Sequence, residues 1–91
     1  MNNHSAVRQA HPEFESAQRA QQTAITELLV SYRNYSSRRR SLAHARASGD
    51  CSTLAAQENA FIESQKAFRA ARLHAGMAIL AAGRAAATSL H

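Results

Sequence analysis

The chain has one cysteine, one proline, three glycines and no tryptophan. A lone Cys51 cannot build an internal disulfide framework, and it excludes a multi-cysteine metal site. With Pro12 near the start and glycines only at 49, 76 and 83, few positions can break a helix. Acids are scarce: six stand against eleven lysines and arginines, for a formal net charge of +5. Long apolar runs are missing too. The most apolar stretch, Ala75 to Ala87, is about 13 residues and contains Arg84, short of the ~20 needed to cross a bilayer. The opening Met1-Asn2-Asn3-His4-Ser5 lacks the basic-then-apolar pattern of a signal peptide. The expectation is a soluble, cytoplasmic chain without a membrane span. Nothing alternates at period two over a useful length, so strands are not expected.

What remains is helix-forming. Ala, Gln, Glu, Arg and Leu dominate two segments on either side of Ser48-Gly49-Asp50-Cys51-Ser52. Gly49 can take the left-handed conformation that ends a helix, and Asp50 or Ser52 can cap the next. Pro12 suits a first helical position, with Glu13 and Glu15 in the first turn facing the positive end of the macrodipole. The reading is all-α: a helix over about 12–47, a turn over 48–52 and a helix over about 53–88, folded into an antiparallel hairpin. Residues 1–11 form a polar N-terminal arm, either disordered or a frayed helical extension. Ser36-Ser37-Arg38-Arg39-Arg40-Ser41 is the weak point of the first helix, which is expected to continue through it, with a bend as the alternative.

Apolar spacing suggests the seam. On the first helix Phe14 is the first anchor, and Ile25, Leu28, Leu29, Tyr32, Tyr35, Leu42 and Ala43 follow on one broad face. On the second, three- and four-residue steps select Leu54, Phe61, Gln65, Phe68, Arg72, Ala75, Ile79, Ala82 and Ala86. A turn near 49 or 50 implies antiparallel partners whose numbers add to roughly 99. That register sets Arg84 opposite Glu15, Arg72 opposite Glu27, and Glu58 and Glu63 around the positions facing Arg38, Arg39 and Arg40. It also brings Phe68 to Tyr32, and Phe61 beside Tyr35. A straight continuous helix would leave the acid-free region from Leu28 to Gly49 uncompensated, which favours the hairpin.

Large side chains are few, and each helix of a lone hairpin has only one neighbour. Burial of ~1.5–3 kcal/mol per large apolar side chain must offset ~1–2 kcal/mol of backbone entropy per ordered residue. A marginal monomer that gains stability from self-association or a partner is expected.

Catalysis finds no support: there is no Ser/His/Asp-like constellation and no Gly-rich phosphate loop. His44 lies on the other side of the turn from Cys51, and Glu13 and Glu15 point to different faces. The five histidines never fall three or four residues apart, the spacing a helical metal face needs. Neither a cofactor nor a metal is expected. Asn34-Tyr35-Ser36 matches a glycosylation acceptor by chance.

Two surfaces remain as candidates. Leu29 and Val30 on the first helix, with Ile62, Leu73, Met77 and Leu80 on the second, lie off the seam. A lone hairpin leaves them wet, and exposed apolar patches mark interaction surfaces. The other candidate is basic: Arg33, Arg38, Arg39, Arg40 and Arg46 can bind phosphates, with Tyr32 and Tyr35 able to stack on bases. No docking motif accompanies them, consecutive arginines spread around the helix, and pairing with Glu58 and Glu63 is the plainer account.

In size and layout, two alanine-rich helices about Ser48-Gly49-Asp50, the chain resembles the small helical hairpins of bacterial type III secretion, both needle-type subunits and needle co-chaperones. The resemblance covers the overall plan. Needle subunits carry a Pro-containing turn where Ser48-Gly49-Asp50 stands here, so it implies no site residues. Two functions are expected to compete. One is a non-enzymatic interaction module: an assembly subunit, adaptor or co-chaperone that binds itself as a homo-oligomer, or another protein's amphipathic helix. The other is a small basic nucleic-acid-binding protein that uses Arg38–Arg40.

Overall fold

The structure is a computed structural model that describes residues 12–89. The arm expected over residues 1–11 lies outside the described residues. Two helices account for nearly everything else: α1, Pro12–Ser48, and α2, Cys51–Ser89, packed against each other as a hairpin. At 1.5 Å per residue each is roughly 55–60 Å long. α1 starts at Pro12 with Glu13 and Glu15 in its first turn and ends with Arg46 in its last, so both ends suit the macrodipole. It runs unbroken through Ser36–Ser41.

The turn is tighter than the expected 48–52. Only Gly49 and Asp50 leave helical geometry. Gly49 has φ +71° and its N–H donates to the Arg46 carbonyl at 3.4 Å, while the Ser48 hydroxyl donates to the Ala45 carbonyl at 3.1 Å. These bonds satisfy carbonyls that a helix end leaves open. Asp50 then caps α2. Its Oδ1 accepts from the Ser52 N–H at 3.1 Å and from the Ser52 hydroxyl at 2.6 Å. Of the two candidate caps Asp50 takes the role, and Ser52 serves as its donor.

Burial follows two interleaved series on each helix, each repeating every seventh residue. On α1 these are Phe14, Gln21, Leu28, Tyr35 and Leu42, alternating with Ala17, Ala24, Ser31 and Ala45. On α2 they are Leu54, Phe61, Phe68, Ala75 and Ala82, alternating with Gln57, Ser64, Ala71, Ala78 and Ala85. The first α2 series matches expectation. The second is displaced by one residue over most of its length: Ser64 is buried where Gln65 is half-buried, Ala71 and Ala78 are half-buried where Arg72 and Ile79 are exposed, and Ala85 and Ala86 are half-buried alike. The reason is steric. The interior positions go to small side chains that let the backbones come close, so Ile79, the more apolar neighbour of Ala78, is left outside. On α1 the same displacement leaves Leu29, Tyr32 and Ala43 exposed, and puts Ala24 and Ala45 inside.

The buried core is accordingly slight. It comprises Ala24, Leu42, Ala45, Ala75, Ala82 and Ser64, whose hydroxyl donates back to the Phe61 carbonyl at 2.7 Å. The larger contribution is aromatic. Tyr32 and Tyr35 of α1 meet Phe61 and Phe68 of α2 with ring centroids 5.3–5.6 Å apart, a spacing at which aromatic pairs attract. This is the expected register, read directly from side chains.

Candidate functional site

The charges obey the register but not the expected pairing. Arg46 reaches Glu58 at 3.7 Å along one edge of the seam, and His74 Nδ1 lies 3.4 Å from Glu27 Oε2 along the other. The second contact is an ion pair only when the imidazole is protonated. Glu63 is taken by Lys66, one turn along the same helix, at 3.5 Å. Arg72 does not meet Glu27, because the seven-residue repeat puts them on opposite edges. Glu15 and Arg84 sit farther round their helices than either edge. Among the described residues no carboxylate pairs with Arg38, Arg39 or Arg40. Of the basic candidates, Arg46 takes Glu58 as expected, while Arg38, Arg39 and Arg40 take neither Glu58 nor Glu63.

The arginine candidates do not form one surface. Arg38 falls in the seam series yet is exposed; Arg39 lies at the seam edge and Arg40 faces outward. Arg33, also exposed, is on the outer side of α1, while Arg46 is committed to Glu58.

The apolar candidates are all exposed, but they divide by position. Ile62 lies three turns before Leu73, and Val30 is turned away from Leu29 on the outer side of α1. Leu73, Met77 and Leu80 stay together, at 69%, 60% and 63% exposure. With Gly76 they occupy positions i, i+3, i+4 and i+7 of α2, the four corners of the hole into which a knob from another helix fits. The surface there is a shallow depression lined by these four and by Arg69, Arg72 and Ile79. Gly76 forms its floor: a Cβ built there meets nothing within 4 Å. Ile79, together with Ile25 and Leu29 across the seam edge, extends the apolar band toward α1.

Gly76 and the arginine rim were not among the expected partner residues. The signal was present as the i, i+3, i+4, i+7 spacing, but a glycine has no apolar side chain to mark its place in it.

At the hairpin tip a second depression is lined by Arg40, Ser41, His44, Asp50 and Gln57, among others. Among the described residues no three of His, Cys, Asp and Glu come together as a metal site would require. Among the same residues no helix is long and apolar enough to cross a membrane. No family model matches the chain, and no curated protein or solved structure matches it significantly. The resemblance to type III secretion hairpins stays one of overall plan.

Proposed function

We propose that the chain is a non-enzymatic interaction module, a helical hairpin that meets itself or another amphipathic helix through the outward face of α2. One observation carries this reading. Leu73, Met77 and Leu80 stand exposed around a glycine floor, in the spacing that helices use to interlock. The slight core supports it as well, since a hairpin this thin gains stability from any helix laid against it. An assembly subunit, an adaptor and a co-chaperone all use such a face. The test is association measured by sedimentation and by intact-complex mass, in wild type and in Leu73→Asp and Leu80→Asp. Loss of association in the variants, with helix content unchanged, supports the reading. Association that ignores both substitutions removes it.

A second reading rests on the basic cluster. Arg38, Arg39 and Arg40 are exposed and take no carboxylate partner among the described residues, so their guanidinium groups are available to phosphate. Phosphate binding weakens steeply with salt, whereas an apolar helix interface does not. Replacement of all three by Gln abolishes binding under this reading and leaves the first untouched.

A further inference from the structure

The interaction face carries charge of one sign, and that narrows what can sit on it. From Gln65 to Ser89 α2 contains no acidic residue. Lys66, Arg69, Arg72 and Arg84 border the apolar strip, and all four are exposed. Among the described residues no carboxylate pairs with Arg69, Arg72 or Arg84.

A second copy is a poor occupant. Two such faces packed antiparallel about Gly76 bring Arg69 of one copy level with Gly83 and Arg84 of the other, arginine beside arginine. Most acids of another copy's described residues already have neighbours, in exposed contacts that are each weak. Asp50 caps α2, Glu58 is held by Arg46, Glu63 by Lys66, and Glu27 lies against His74. Only Glu13 and Glu15 remain, on different faces of α1.

An anionic membrane would satisfy the arginines but not the shape. A lipid surface gains from bulky side chains that project, whereas here the centre of the strip is recessed. Gly76, and Gly83 one repeat later, each lower helix propensity by about 1 kcal/mol relative to alanine. Both open onto empty space. Two holes in succession result: Leu73-Gly76-Met77-Leu80, then Leu80-Gly83-Arg84-Ala87. This is a track for knobs spaced every seven residues along another helix.

We infer that the outward face of α2 seats a helix from a different protein, one whose seven-residue apolar stripe is flanked by aspartate or glutamate. Large aliphatic knobs of that helix enter at Gly76 and Gly83, and its acids meet Arg69, Arg72 and Arg84. This rests on the interaction-module reading and names the chemistry of the partner.

The test uses the full chain and three probes: a synthetic amphipathic peptide with a leucine heptad stripe flanked by Glu, the same stripe flanked by Lys, and phosphatidylglycerol vesicles. The Glu-flanked peptide is expected to bind more tightly than its Lys counterpart by roughly tenfold, the sum of three modest rim pairs. The triple charge reversal R69E/R72E/R84E should invert that preference. Gly76→Leu should fill the hole and weaken the Glu-flanked peptide while helix content holds. Equal binding of the two peptides, no inversion on charge reversal, or preference for the vesicles overturns the proposal. Sedimentation of the chain alone separates the two levels. A dimer lost in Leu73→Asp keeps the module reading and overturns the foreign helix. No self-association and no peptide binding overturns both.

Discussion

Tyr35 stacks on Phe68 across the hairpin, with ring centroids 5.3 Å apart and planes 23° from parallel. Phe68 also touches Tyr32 at 5.6 Å, so one α2 side chain ties down two turns of α1. Where most of the fully buried residues are alanine, this contact fixes register. Phe68→Ala is expected to destabilise by about 3 kcal/mol, the low end for an aromatic truncation because the ring is half-buried. A double-mutant cycle with Tyr35→Ala should return a coupling of ~1 kcal/mol. Denaturant unfolding measures both, and additive effects would mean the rings do not act as a pair.

Three glycines give opposite expectations under one substitution. Gly49 holds φ +71°, where a side chain is strained, so Gly49→Ala should destabilise by about 1 kcal/mol. Gly76 and Gly83 are helical, with open space where a Cβ would stand. Gly76→Ala should therefore stabilise the isolated chain by up to ~1 kcal/mol through helix propensity. Thermal unfolding decides the signs. A destabilised Gly76→Ala would mean that something already fills the hole in the folded chain.

Much of the fold was legible because it depends on a few strong local signals. Gly49 and Asp50 end one helix and start the next, and every seventh residue from Leu54 to Ala82 lies on the seam. The alternate series was not legible, because hydrophobicity and fit disagree there. Ile79 outranks Ala78 in apolar character, yet Ala78 is the residue that lets the helices close. Charge pairing failed for a related reason. Opposite numbers in the register, such as Arg72 and Glu27, meet only if they share an edge, and one residue of displacement changes the edge. The outer apolar strip was legible from its large side chains; its floor was not, since Gly76 contributes only an absence.

Gln57 is a half-buried polar residue in the seam series, and its Oε1 is buried with no hydrogen-bond partner among the described residues. A buried acceptor left unpaired carries a desolvation penalty of about 1–3 kcal/mol. Gln57→Leu keeps the volume and removes that penalty. The variant should be more stable by about 1 kcal/mol in urea unfolding. A loss of stability instead would show that the amide is needed where it stands.

Asp50 makes the turn sensitive to acid. The hydroxyl of Ser52, and after it the Ser52 backbone N–H, hold the Asp50 carboxyl below its ordinary pKa of 3.8. A carboxyl depressed in the folded state contributes its full stabilisation above the unfolded pKa and loses it as pH falls through the folded pKa. The cap should therefore be intact at neutral pH and weaken once the pH drops below about 4. Asp50→Asn supplies the control, since asparagine caps helices about as well but does not titrate. Melting temperatures of wild type and Asp50→Asn should lie close together at neutral pH. On the acid side the wild type should fall further, because it alone loses a charged cap. Asp50→Ala should melt lower than both at neutral pH and approach the wild type as acid protonates its carboxyl. Parallel acid limbs for wild type and Asp50→Asn would show that the folded chain leaves the Asp50 pKa where the unfolded chain has it, and would remove this part of the account of the turn.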